Sequence, residues 1–153
     1  MRFVRKLVSL FRGDSSEIDA ETKQRVDYAS KIVGDVLNPQ LEMLKLEYGV
    51  VPNTGSIVSA RSRGYLLGLV ARVMGELPED FAISHAQHLG AAAFSLVYGQ
   101  ERGIPLFVQS VNEHKAGDPE IAAGSNRGVV DASYLVEGAS MSPMNFYLLN
   151  SSV

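Results

Sequence analysis

From Ile18 to Leu37 the apolar side chains of Ile18, Val26, Ala29, Ile32, Val33, Val36 and Leu37 fall on one face of a 3.6-residue helix, and the same spacing returns in segment after segment. A sheet needs residues that alternate in and out, and no stretch alternates convincingly between turn signals. "GVVDASYLV" (128–136) has strand propensity, but a helix competes well for it. These patterns predict an all-α fold, a single-domain helical bundle of about five to seven helices. Connections of roughly 2–8 residues make the helices mostly antiparallel. At 153 residues the chain can bury a sizeable core without staples.

Glycine, proline and capping residues set the expected boundaries. A first helix spans residues 2–12 and ends at Gly13, before the break "GDSS". A second begins after Ser15 or Ser16, with Glu17, Asp19 and Glu21 in its first turns as the macrodipole favours. It stops before Asn38-Pro39, which read as the N-cap and first residue of a short third helix ending near Tyr48. "VVPNTGS" (50–56) is a loop, and Thr54 or Ser56 caps a fourth helix to about residue 74, with Ile57, Ala60, Leu67, Val70 and Met74 inward. A fifth runs from Pro78 to about Tyr98. Its small-residue stretch "GAAAF" (90–94) lets a neighbour approach closely and marks it as the central helix of the bundle. A sixth spans about Pro105 to Lys115, and "AGDP" (116–119) is a stop and restart. The seventh, Pro119 to about Glu137, is broken in one reading by "GSNRG" (124–128). The chain thus divides into a basic amphipathic segment (1–13), a helical bundle domain (14–137) and an apolar, Ser-rich tail (138–153) that is docked or disordered.

The net charge of −3 hides an asymmetry. Arg2, Arg5, Lys6 and Arg12 stand in the first thirteen residues with no acid. The remainder holds ten Lys and Arg against seventeen Asp and Glu, a balance of −7. A basic end on an acidic body marks an interaction segment. The acidic body also argues against a broad nucleic-acid surface, since that needs a basic face. Arg61 and Arg72 share one face of the fourth helix while Arg63 points the other way, so they form no clustered recognition surface. A solvated face or pairing with acids of the second helix explains them.

Candidate chemistry is sparse. Without cysteine there is no disulfide, thiolate zinc site or Cys nucleophile. His85 and His88 stand three apart in "HAQH" and share a helical face. With a third ligand from His114 or Glu113 they can hold zinc or iron, if the fifth and sixth helices pack antiparallel. HxxH alone is a weak signal, and Gln87 cannot act as the base that HExxH supplies. The competing reading is two polar residues on the outer side of the helix. "GSNRG" lacks the P-loop pattern; it is an anion-binding loop with Arg127, or a connection or helix kink. No G-x-S-x-G elbow occurs, and no cofactor is implied.

The segment "MRFVRKLVSLFRG" carries the functional expectation. Phe3, Val4, Leu7, Val8, Leu10 and Phe11 form one side of a helix; Arg2, Arg5, Ser9 and Arg12 form the other. Cations interleave with the apolar residues, which is poor for a secretory signal and good for a surface-lying helix. No apolar run reaches the roughly 18 residues of a membrane span. The partner- or membrane-binding candidates are Arg2, Phe3, Arg5, Lys6, Leu7, Phe11 and Arg12. The segment docks on its own bundle, on a protein partner or a homo-oligomer, or reversibly on an anionic membrane surface. The expected function is a non-enzymatic helical interaction protein, cytoplasmic or peripheral to a membrane. The alternative is a metal-dependent helical-bundle enzyme using His85 and His88.

Overall fold

The structure, a computed structural model, describes residues 20–75, 79–139 and 142–151; the side chains of residues 22 and 79–85 lie outside it. The basic segment 1–13 also lies outside the described residues. The described chain is all helix and turn. Six α-helices follow in order: α1 (Ala20–Tyr48), α2 (Ala60–Met74), α3 (Glu79–Tyr98), α4 (Gln100–Lys115), α5 (Pro119–Val136) and α6 (Asn145–Asn150), with a short 3₁₀ turn at Gly55–Val58. There is no strand among the described residues, and the all-α bundle expected from periodicity is what the chain forms.

Several boundaries differ from expectation, each for a physical reason. The second and third expected helices are one: α1 runs 29 residues through Pro39. Proline removes one amide from the ladder. Beside it, the Gln40 side chain turns back and donates from Nε2 to the Val36 carbonyl (2.8 Å). The helix continues through the proline because one unbroken face buries Ala29, Ile32, Val33, Val36, Leu37, Leu41 and Leu44. Pro105 also lies inside a helix rather than at its start, because α4 begins one turn earlier, at Gln100. The 3₁₀ turn, not an α-helix, follows Thr54, and the cap of α2 is Ser59, whose hydroxyl accepts from the Ser62 amide (3.3 Å). "GSNRG" breaks nothing. It is the middle of α5, whose Asp118 caps the Glu120 and Ile121 amides (2.8 and 3.2 Å).

The central helix is α2, not α3. Ten of its fifteen residues are buried, including Ser62, Arg63, Gly64 and Gly68. It touches every other helix, most extensively α5. That pair is a glycine crossing. A Cβ at Gly64 would lie 2.2 Å from the Ile121 carbonyl oxygen, and one at Gly68 would lie 2.0 Å from that of Ser125. Reciprocally, a Cβ at Gly124 would lie 1.8 Å from Arg61 O, and one at Gly128 would lie 2.0 Å from Tyr65 O. Two G-x-x-x-G pairs thus let the backbones touch, as small-residue helix interfaces do. Both contact series advance in step, so α2 and α5 run parallel. Helices far apart in sequence escape the short-connection rule. The α3–α4 hairpin obeys it. Gly99 alone makes the turn at φ 87°, and the glycines on each arm, Gly90 and Gly103, press against Phe107 and Ser95 of the other.

Surface ion pairs flank the crossing. Arg61 meets Glu120 (2.9 Å), and Arg72 meets Glu137 (3.7 Å) and donates to Ser133 Oγ (3.0 Å). Arg61 and Arg72 do share a face, and it is the face turned to α5; their acids come from α5 and the residue following it rather than from the second helix. Phe94 packs at 5.3 Å from Phe107 and 5.7 Å from Tyr98, which ties the two arms of the hairpin together, and the Tyr98 hydroxyl links it to the 3₁₀ turn by donating to the Ile57 carbonyl (2.6 Å).

Candidate functional site

The densest group of buried polar side chains lies where α1, α2 and α5 meet under α6. Gln40 is fully buried and Asp131 is 1% exposed. Tyr65, also fully buried, donates its hydroxyl to Asp131 Oδ2 (2.7 Å) and accepts from Gln40 Nε2 (3.0 Å). Asp131 accepts twice more, from the Asn145 amide at Oδ2 (2.9 Å) and from Asn145 Nδ2 at Oδ1 (2.7 Å). Gln40 Oε1 accepts from the Tyr147 amide (2.9 Å). A carboxylate in an apolar interior is expensive unless hydrogen-bonded. Here three donors hold it. Burial pushes the Tyr65 phenol well above its ordinary value, and the adjacent Asp131 charge pushes it further, so Tyr65 stays a donor.

This network positions α6. Phe146 is fully buried, with its ring 5.2 Å from that of Tyr65. At the other end Asn150 Oδ1 accepts from Ser56 Oγ (2.9 Å) and Ser62 Oγ (3.2 Å), its Nδ2 donates to the Phe146 carbonyl (2.9 Å), and its own carbonyl accepts from Tyr48 Oη (3.2 Å). Sequence reasoning missed Gln40, Tyr65, Asp131, Asn145 and Asn150 altogether. The available signal was polar residues at core positions of otherwise apolar faces.

A second buried group joins α2 to α4. The Arg63 guanidinium, 6% exposed, donates from Nε to the Val58 carbonyl (3.0 Å) and from one terminal nitrogen to Ser110 Oγ (2.9 Å) and Glu113 Oε2 (2.8 Å). Burial alone would raise the Glu113 carboxyl. Hydrogen bonds from Gln109 and Arg63 and the guanidinium charge outweigh it and hold the group below its ordinary value.

Of the expected metal ligands among the described residues, only Glu113 belongs to one of these groups, as the partner of Arg63. His88 is half-buried on α3, His114 is exposed on α4, and the side chain of His85 lies outside the described residues. The hairpin is antiparallel, as that reading required, but both Glu113 oxygens are already taken, Oε1 by Gln109 and Oε2 by Arg63. Among the described residues no three His, Cys, Asp or Glu side chains come together. The expected anion loop is corrected: Gly124–Gly128 is helix, two of its residues are buried in the α2 crossing, and its amides lie inside a helix rather than in an open loop. No helix among the described residues is long and apolar enough to cross a membrane.

Among the described residues no buried side-chain nitrogen or oxygen in these networks lacks a hydrogen-bond partner. The networks hold one short helix and one helix pair in fixed register. Comparison of the chain with protein-family models, with curated proteins and with solved structures found no match.

Proposed function

We propose that this chain is a helical interaction protein that binds a protein partner or itself, at a membrane surface where one is offered, through its basic amphipathic segment 1–13. The observation that carries the reading is the segregation of Phe3, Leu7, Leu10 and Phe11 from Arg2, Arg5 and Arg12 on a segment with four cations and no acid. Two features of the folded part support it. The described residues share a contiguous apolar core, from Ala29 on α1 to Phe146 on α6, on which an amphipathic segment of this or a second copy can dock. The body beyond residue 13 is acidic, so a cationic segment and its own or a second body attract each other.

The test compares the full chain with one lacking residues 1–13. Sedimentation reads self-association, and co-sedimentation with vesicles containing anionic lipid reads membrane binding. Loss of either on deletion supports the proposal, and loss of vesicle binding in the Phe3→Glu, Leu7→Glu variant assigns it to the apolar face. If the deletion leaves both readouts unchanged, the proposal fails.

A further inference from the structure

Helix α6 does not cap itself. Met144 precedes it and makes no side-chain cap, and the Asn145 amide is taken by Asp131 Oδ2 of α5 instead. The next open amide but one, that of Tyr147, is taken by Gln40 Oε1 of α1. Two amides of the first turn thus find their acceptors on two other helices. Six residues are too few for a helix to persist in water, so α6 forms as it docks. The anchors are side chains of the segment itself: Phe146 in an apolar pocket, and Asn145 and Asn150 on fixed polar groups. A segment that orders on docking, read by one aromatic pocket and a few placed polar groups, is the helix-in-groove mode of peptide recognition.

We propose that the groove between α1, α2 and α5 is a peptide-binding site, and that a second copy of this chain supplies its own Asn145–Asn150 segment to it in exchange for the resident one. Complementarity identifies the occupant. Asp131 takes two donors from one asparagine, Gln40 takes an amide two residues later, the Tyr65 ring faces a phenylalanine, and Ser56 and Ser62 donate to an asparagine five residues after the first. The sequence that meets all of these is Asn-Phe-Tyr-Leu-Leu-Asn, and every copy carries it. The step from Gly138 to Asn145 reaches up to about 25 Å when extended, enough to cross to an adjoining copy. Exchange is reciprocal, closes with twofold symmetry and leaves neither groove open. A short connector gives the resident segment an effective concentration near millimolar, so the intramolecular form dominates in dilute solution and exchange rises with protein concentration. The inference draws nothing from residues 1–13, so it stands or falls separately from the function proposed above.

The experiment uses the full-length Phe146→Ala variant, whose own segment has lost its anchor, with a fluorescent peptide of residues 142–153 and a differently tagged wild-type chain. The variant is expected to bind the peptide and, at protein concentrations approaching the millimolar effective concentration of the resident segment, to capture the wild-type chain, while wild type takes up the peptide at least ~10-fold more weakly because its own segment competes. A peptide carrying the same Phe146→Ala change is expected not to bind. Should the variant fail to fold by circular dichroism, full-length Asn145→Ala, Asn150→Ala, which keeps the aromatic anchor, replaces it. A folded variant that takes up neither peptide nor wild-type chain overturns the site. Uptake of the peptide without the wild-type chain overturns the second copy as its occupant, and equal uptake of the altered peptide overturns the recognition.

Discussion

Tyr65 donates its hydroxyl to Asp131 Oδ2 across the α2–α5 crossing at 2.7 Å, while accepting from Gln40 of α1. One phenol thus ties three helices, and the carboxylate it serves caps a fourth. Tyr65→Phe keeps the ring against Phe146 and deletes only the hydroxyl. Asp131 then holds two donors instead of three in a buried site. A loss of about 1–3 kcal/mol is expected, the range for removing one partner of a buried group. Urea unfolding followed by circular dichroism measures it, and a loss below about 0.5 kcal/mol contradicts the role assigned to this bond.

Alkaline pH should loosen the same core. Burial raises the phenols of both Tyr65 and Tyr98 above the ordinary value of 10.0. A group whose folded pKa is raised binds its proton more tightly when folded. Its contribution is fully present below the unfolded pKa and is lost as pH rises past it. Stability should therefore hold to about pH 10 and then fall by up to ~1.4 kcal/mol per pH unit for each tyrosine. In Tyr65→Phe, Tyr98→Phe that added alkaline slope disappears. Urea midpoints across the alkaline range decide between the two outcomes.

Two glycine-to-alanine changes should move stability in opposite directions. At Gly68 the new methyl would sit 2.0 Å from the Ser125 carbonyl oxygen, which is backbone and cannot step aside, so α2 and α5 must separate. A loss of more than about 3 kcal/mol is expected, beyond ordinary overpacking. At Gly34 on α1 the methyl would meet only the Asn38 side-chain amide at 3.3 Å, which can rotate away. There the helix propensity of alanine governs, and a gain of about 0.5–1 kcal/mol is expected. Thermal or urea unfolding of the two variants reads both signs.

That contrast also explains what the sequence disclosed and what it withheld. Periodicity found the helices, because apolar spacing is a local property that each segment carries alone. It also placed Ala29, Ile32, Val33, Val36 and Leu37 of α1 correctly in the core. The helix at the centre went unrecognised because its inner face is written in Gly64, Gly68, Arg63 and Ser62, residues that a hydrophobic pattern places outside. The second pair, Gly124 and Gly128, looked like a loop for the same reason. Only the two G-x-x-x-G spacings taken together hint at a crossing. Asp131 and Gln40 were illegible because their donors, Asn145 and Tyr147, lie 14 and 107 residues away. Pro39 misled by a local rule that the continuous buried face of α1 overrides.

The Arg63–Glu113 pair should make stability sag in acid. Hydrogen bonds and the guanidinium charge lower the Glu113 carboxyl in the folded chain despite its burial. A depressed folded pKa contributes stability above the unfolded value of 4.5, and that contribution is lost as pH falls through the folded one. Glu113→Gln keeps a hydrogen-bonding acceptor for Arg63 but removes the titration, so its acid limb should be flatter than that of wild type. Arg63→Met is harsher, leaving Glu113 and Ser110 without their buried partner, at about 3 kcal/mol. Denaturant midpoints between about pH 3 and 7 test the flattening. Parallel limbs in the two chains would show that the pair is not what titrates.

Replacing Pro39 by alanine should stabilise the protein. Pro39 sits in the interior of α1, on its exposed side, where it withholds an amide from the Asp35 carbonyl one turn earlier. Proline is roughly 3 kcal/mol less favourable than alanine inside a helix, though proline also narrows the unfolded ensemble and returns part of that difference. The Gln40 Nε2 bond to Val36 is independent of the ring and can persist beside the restored amide. The expected net gain is about 1–2 kcal/mol. It should be lost in Pro39→Ala, Gln40→Ala, because that variant also leaves the Tyr147 amide without Gln40 Oε1. Urea unfolding of the single and double variants gives both numbers. A destabilised Pro39→Ala would mean that the proline sets a bend in α1 that the packing of its buried face requires.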